Sequence, residues 1–273
     1  MLKRVYIEIT SACNLSCSFC TVSERERMYM DSSFFEAVVG QVSEITPYIC
    51  LHVQGEPLLH PEIDAFLSVC DRYGMQVQLV TNGILISRLK PHDCIRKVSF
   101  SVQSIEFMKL SPKEYMEPVL KYCEQASQYE RPYCELRFWR TDQMELAKTR
   151  ECLDLLHERF PFDETSKPGS YRLMNHVYAD FSKPFDWPDM EADVVSQNGT
   201  CRGALDQIAV LCSGKVVPCC LDAEGVIDLG NLHTMTLRDI LNSERYRSIC
   251  EGFRRHELRE ELCRRCSFRT RFR

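Results

Sequence analysis

Three cysteines pose the first chemical question. In Cys13-Asn14-Leu15-Ser16-Cys17-Ser18-Phe19-Cys20 they stand at C-x3-C-x2-C, directly after the alternating run Val5-Tyr6-Ile7-Glu8-Ile9-Thr10. A strand there delivers the chain to a short loop, and the loop can wrap a metal group with three thiolates. A tetrahedral zinc or a cubane iron–sulfur cluster normally takes four protein ligands. Three thiolates therefore leave one iron open to hold a substrate or a cofactor. The alternative is a set of buried free cysteines, which pack like small apolar residues. The surrounding chain has to decide between them.

Cysteine is frequent throughout, at 16 of 273 residues. A second set follows a Pro- and Asp-rich stretch. It comprises Cys201, then Gly214 and Cys219 at G-x4-C in Ser213-Gly214-Lys215-Val216-Val217-Pro218-Cys219, then Cys263-Arg264-Arg265-Cys266. The nine outside these motifs (Cys50, Cys70, Cys94, Cys123, Cys134, Cys152, Cys212, Cys220 and Cys250) read mostly as packing residues. The net charge of −5 argues against a general nucleic-acid binder. Met1-Leu2-Lys3-Arg4 leads into a polar-interrupted strand rather than an apolar signal segment. No apolar run is long enough to span a bilayer. These features predict a cytoplasmic protein, where many cysteines point to metal or redox chemistry rather than disulfides. The tail from Phe253 holds eight arginines against three acids, which reads as a solvated face.

The first motif, with an aromatic just before its last cysteine, resembles the cluster loop of radical S-adenosylmethionine (SAM) enzymes. The resemblance implies that Cys13, Cys17 and Cys20 hold a [4Fe-4S] cluster whose fourth iron is chelated by SAM. Gln54-Gly55-Glu56-Pro57 resembles the family's Gly-Gly-Glu-Pro turn, which meets the SAM amino group. Glutamine replaces the first glycine, and Gly55, Glu56 and Pro57 keep the pattern. By the same resemblance Ser101 and Gln103 are candidates for the SAM ribose and methionine, and Thr81 and Asn82 are rim candidates. Phe19 is expected to pack on the adenine. Arg137 suits the SAM carboxylate, since a guanidinium pairs well with one; its alternative is a surface-facing strand residue. His52 reads as a core or rim residue rather than a ligand.

The second cysteine set resembles the C-terminal auxiliary-cluster module of radical SAM proteins, called SPASM in full and twitch in its shorter form. The full module needs cysteines beyond the final C-x2-C, so the short, one-cluster form is the expected match. The resemblance then assigns an auxiliary [4Fe-4S] cluster to Cys201, Cys219, Cys263 and Cys266, with Cys220 the rival of Cys219 and a four-cysteine zinc site the alternative.

The elements that must position these residues follow from periodicity. Strands are expected at Val5 to Thr10, Tyr48 to Val53, Gln76 to Val80, Lys97 to Val102, Tyr133 to Trp139 and Tyr171 to Tyr178. Helices are expected from Asp31 (the cap) to about Ile45, from Pro61 to Tyr73, from Pro112 to Ser127 and from Met144 to Phe160, with a short helical piece near Ile84 to Leu89. Alternating strands and helices imply a parallel sheet with right-handed crossovers. Six such units predict an α/β fold, a partial (β/α)6 barrel open on one side, with loops after the strands gathered at one rim. The expected organisation is a core over 1–180, a linker over 181–200, and a small auxiliary domain over 201–273. That domain would hold a β-hairpin turning at Ser213-Gly214 and a helix capped near Thr236.

Together these resemblances imply a radical SAM enzyme of the oxidoreductase kind. It would cleave SAM to a 5′-deoxyadenosyl radical and abstract a substrate hydrogen in a two-electron oxidation, a dehydrogenation or a cross-link. Its electrons would come from a reductase, flavodoxin or ferredoxin. The substrate would be a small molecule or a peptide; with the first strand beginning at Val5 and no leader-binding domain expected, a small one. The alternative is a non-enzymatic iron–sulfur or zinc scaffold or electron carrier, which leaves the Gly-Glu-Pro and Thr-Asn-Gly turns unexplained.

Overall fold

The structure is a computed structural model, whose described residues are 2–21, 23–140, 146–160, 162 and 169–272. Six parallel strands follow the expected order: β1 (Arg4–Ile7), β2 (Tyr48–Cys50), β3 (Gln76–Thr81), β4 (Ile95–Ser101), β5 (Tyr133–Trp139) and, after an intervening β6 (Gly169–Met174), β7 (Val177–Ser182). Between them run α1 (Ser32–Ser43), α2 (Ile63–Arg72), α3 (Pro112–Ala126) and α4 (Ala147–Arg159). Only a 3-10 turn, Ile86–Arg88, bridges β3 and β4, where the sequence shows a short helical piece. This is the expected partial (β/α)6 barrel.

Local chemistry explains the helix starts. Asp31 caps α1 by accepting from the Ser33 and Phe34 N–H groups. Ser111 and Glu114 close a reciprocal capping box on α3, with Pro112 in its first turn. The strands alternate. In β5, Cys134, Leu136 and Phe138 are buried under the helices, while Glu135 and Arg137 face the barrel interior and line its cavity. Phe35 of α1 stacks on Phe66 of α2 with centroids 4.1 Å apart, at the heart of the helix-side core.

Two sequence expectations are corrected. The first strand ends at Ile7 rather than Thr10, because Ile9 and Thr10 leave the ladder to meet the loop that carries the cysteines; Ile9 O accepts from Met30 N at 2.8 Å. The sixth strand, expected over Tyr171 to Tyr178, is an antiparallel hairpin, β6 and β7, turning at Asn175-His176. His176 takes φ +57°, so a turn without glycine hid the break. The expected start of the fourth helix at Met144 lies outside the described residues.

The C-terminal part holds β8 (Gln207–Val210), β9 (Lys215–Val217) and β10 (Gly230–Asn231), followed by α5 (Leu237–Asn242), α6 (Glu244–Arg254) and α7 (Glu261–Arg265). The expected hairpin is β8–β9 and the expected Thr236 cap is present. More helix forms than the single one expected: α6 buries Ile249, Cys250 and Phe253 on one face, and Ser243 caps it. The hairpin does not stand apart. β8 pairs in parallel with β1 over four residues, so the sheet runs β10-β9-β8-β1-β2-β3-β4-β5-β7-β6. Among the described residues no helix is long and apolar enough to cross a membrane.

Candidate active site

Both cysteine sets line one cavity of about 1120 Å³. Cys13 and Cys17 are half-buried and Cys20 is exposed, on the loop after β1. Burial pushes the Cys17 thiol up to about 12, with Cys13 and Cys20 adding to the shift; burial raises those two as well. The three sulfurs therefore sense one another. Thiols so placed stay protonated on their own, and a bound cation would draw their protons off.

The turn after β2 is locked to this loop. Gly55 takes φ +72°, and a Cβ there would lie 2.3 Å from Thr10 O and 2.9 Å from Ala12 O. Only glycine lets the turn approach so closely. Glu56 N donates to Ala12 O at 2.9 Å. The Glu56 carboxylate is buried and accepts three hydrogen bonds: Thr81 Oγ1 (2.7 Å) and Leu58 N (3.0 Å) on Oε1, and Asn82 N (2.7 Å) on Oε2. Asn82 Nδ2 in turn donates to Asn14 Oδ1, inside the cysteine motif, at 2.8 Å. Glu56, Thr81 and Asn82 thus form a clamp between the ends of β2 and β3. Pro57 is buried at the start of the 3-10 turn that follows.

The other predicted residues gather on the same wall. Ser101, Gln103 and Arg137 line the cavity, with Ser101 and Arg137 opposite one another on β4 and β5. Gln103 is buried and its Oε1 has no hydrogen-bond partner among the described residues, an acceptor waiting for a donor. Phe19 meets Trp139 and Phe107 edge-on, with centroids 4.4 and 5.5 Å away. His52 also lines the cavity; burial, and then Arg137, hold its imidazole down at about 3, so the ring is neutral.

In the second set, Cys219 senses Cys220, Cys201 and Cys263, while Cys263 senses Cys201 and Cys266. Burial is the largest influence on all four thiols and raises each. Gly203 leaves room for them: a Cβ there would sit 3.2 Å from Cys219 Cβ. Cys220 packs with Tyr6 of β1 against the same small core cluster, and the two side chains sense one another. Among the described residues no three His, Cys, Asp or Glu side chains close on a single metal-ion position. Of the nine remaining cysteines all but Cys220 are buried, as the packing reading requires.

Two features escaped the sequence reading. Glu8, fully buried, forms a two-pronged ion pair with Arg25 of the cysteine loop at 2.7 and 2.8 Å. Its signal was a carboxylate in an otherwise apolar run. The second is a polar inner wall, where Glu135 accepts from Lys97 Nζ at 2.7 Å and Ser99 Oγ at 2.9 Å. Asp180 nearby is raised by burial and by Glu135. The signal was polar residues at every second position of β4 and β5.

Comparison with known proteins agrees with this geometry. Residues 7–136 match the family model of the radical SAM superfamily, and residues 201–267 match that of the SPASM iron–sulfur cluster-binding domain. A segment of 86 residues is 30% identical to the PqqA peptide cyclase of Gluconobacter oxydans (strain 621H), covering 30% of this chain and 24% of the cyclase. The match thus spans about a quarter of that curated relative's length. Among solved structures, BtrN in complex with AdoMet and 2-DOIA has a TM-score of 0.59 at 18% identity, over 98% of this chain and 93% of BtrN. SuiB of Streptococcus suis bound to S-adenosylmethionine has a TM-score of 0.64 at 17% identity, over 91% of this chain and 67% of SuiB. These structures share the fold. The chain belongs to the radical SAM superfamily and carries a C-terminal SPASM-type iron–sulfur domain, so its cofactors are [4Fe-4S] clusters and SAM.

Proposed function

We propose that this chain is a radical SAM oxidoreductase of the cytoplasm that completes a two-electron oxidation, a dehydrogenation or a cross-link, on a small molecule or a peptide. The observation that carries the reading is the single cavity bordered by both cysteine sets. A substrate inside it would lie between the group that starts the reaction and the group that takes up the second electron.

The residues fit both groups. Cys13, Cys17 and Cys20 would hold the SAM-binding cluster and leave one iron open. The Gly55-Glu56-Pro57 turn would offer backbone acceptors to the SAM ammonium, with Glu56, Thr81 and Asn82 holding that turn in place. Arg137 would face the SAM carboxylate, Ser101 and Gln103 its ribose and methionine, and Phe19 its adenine. SAM on its cluster supplies a 5′-deoxyadenosyl radical that takes a hydrogen atom from the substrate. Cys201, Cys219, Cys263 and Cys266 would give the auxiliary cluster all four of its protein ligands, the short twitch form of the module. With no iron open, that site suits electron transfer rather than substrate binding. Phe19, Trp139 and Phe107 would limit water at the first cluster. Electrons would come from a reductase, flavodoxin or ferredoxin. Both substrate classes stay in the reading, since the BtrN structure contains 2-DOIA and a SuiB structure contains the precursor peptide SuiA.

The test is the Cys263→Ala/Cys266→Ala double variant, purified anaerobically beside the wild type. It should retain the first cluster and still form 5′-deoxyadenosine, yet fail to make the oxidised product. Normal product from that variant, or zinc in place of the second cluster in the wild type, would overturn the reading.

A further inference from the structure

Glu8 collects hydrogen bonds from three distant parts of the chain. Its Oε2 accepts from Arg25 Nη1 of the cysteine loop at 2.8 Å and from Cys212 N, at the turn of the auxiliary hairpin, at 3.0 Å. Its Oε1 accepts from Arg25 Nη2 at 2.7 Å and from Gln54 N, at the head of the Gly-Glu-Pro turn, at 3.4 Å. Each oxygen thus holds one guanidinium donor and one backbone donor, and the side chain has no exposure to solvent. The backbone repeats the link, since Glu8 N donates to Val210 O of β8 at 2.9 Å. Gln54, which replaces the family's first glycine, joins the same cluster: its Oε1 accepts from Arg25 Nη2 at 3.4 Å.

A carboxylate is required here. All four groups pointing at Glu8 are donors, and only an ionised acid accepts on both oxygens. An arginine fork is likewise the residue that meets both oxygens at once. We propose that Glu8 and Arg25 are positioning residues that register the auxiliary hairpin against the SAM turn, so that SAM binding and hairpin docking stabilise each other. This rests on the assignment of Gly55-Glu56-Pro57 to SAM. Such coupling is reciprocal: whatever SAM does to the hairpin, the hairpin does to SAM affinity.

The experiment uses the full chain with both clusters in place. Hydrogen exchange at residues 207–217 is followed with and without SAM, and SAM affinity is measured by equilibrium dialysis. In the wild type SAM should slow exchange in the hairpin. In Glu8→Gln, whose amide sets a donor against a donor, that protection should vanish and SAM affinity should fall roughly tenfold. Arg25→Lys keeps the charge but loses the fork, and should lose a few-fold; it carries the test if Glu8→Gln fails to assemble its clusters. SAM binding that leaves hairpin exchange unchanged in the wild type overturns the inference, as does a variant with wild-type SAM affinity and wild-type protection. A wild-type chain that holds both clusters but binds no SAM overturns the functional reading itself.

Discussion

Replacing Glu56 gives the most direct measure of how the cofactor wall is held. Its carboxylate is 2% exposed and accepts from Leu58 N, Asn82 N and Thr81 Oγ1 at 3.0, 2.7 and 2.7 Å. In Glu56→Ala the two backbone donors lose their acceptor. Each buried unsatisfied N–H costs about 1–3 kcal/mol, and the Thr81 hydroxyl can rotate to another partner, so the loss should be about 4 kcal/mol. Glu56→Gln keeps the shape and one oxygen but sets an amide N–H against one of the donors, and should cost about 2 kcal/mol. Urea unfolding of anaerobically purified protein, with iron counted per chain, should rank wild type, Glu56→Gln and Glu56→Ala in that order. SAM affinity should fall in the same order, by about tenfold for each 1.4 kcal/mol transmitted to the site. The cluster proposed on Cys13, Cys17 and Cys20 should persist, because no cysteine is touched. A Glu56→Ala protein within about 1 kcal/mol of wild type, with unchanged SAM affinity, would refute the clamp reasoning.

Two further predictions are simpler. Alanine at Cys13, Cys17 or Cys20 should abolish reductive SAM cleavage, and any of the three that still forms 5′-deoxyadenosine removes that residue from the ligand set. His92 lies between Asp71 (2.7 Å) and Asp64 (3.0 Å). Burial pulls its imidazole down, but the two carboxylates outweigh it and the net shift is upward. A raised folded value stabilises below the ordinary imidazole value of about 6.5 and is lost as pH rises through the raised one. Stability should therefore decline across that window, and His92→Gln should flatten the decline; an identical slope in the variant would exclude His92 as its source.

Much of the fold was legible because its signals are local. The Asp31 cap, the Thr236 cap, the alternation of Tyr133 to Trp139 and the Ser213-Gly214 turn each depend on neighbours within a few residues. The site was legible where chemistry forces spacing, as in the cysteines and in Gly55, whose close approach to Thr10 excludes a side chain. The rest depends on contacts between distant residues. Glu8 and Arg25 are 17 apart, and Glu8 and Cys212 are 204 apart, so neither link leaves a periodic trace. The β6–β7 hairpin was missed for a different reason: its turn uses Asn175 and a left-handed His176 in place of glycine.

The pairing of β8 with β1 also orders events on the ribosome. Strand β1 emerges first and finds β2 within about 45 residues, but its other edge stays bare until Gln207–Val210 has been made. Until then the strand that carries the chain into the cysteine loop has an unpaired edge, the kind of surface that invites pairing between chains. Contacts of such long sequence separation form late because their loop-closure cost precedes their gain. The C-terminal segment is in this sense an internal chaperone for the N-terminal strand. Chains cut before residue 207 should aggregate even though their radical SAM domain is whole.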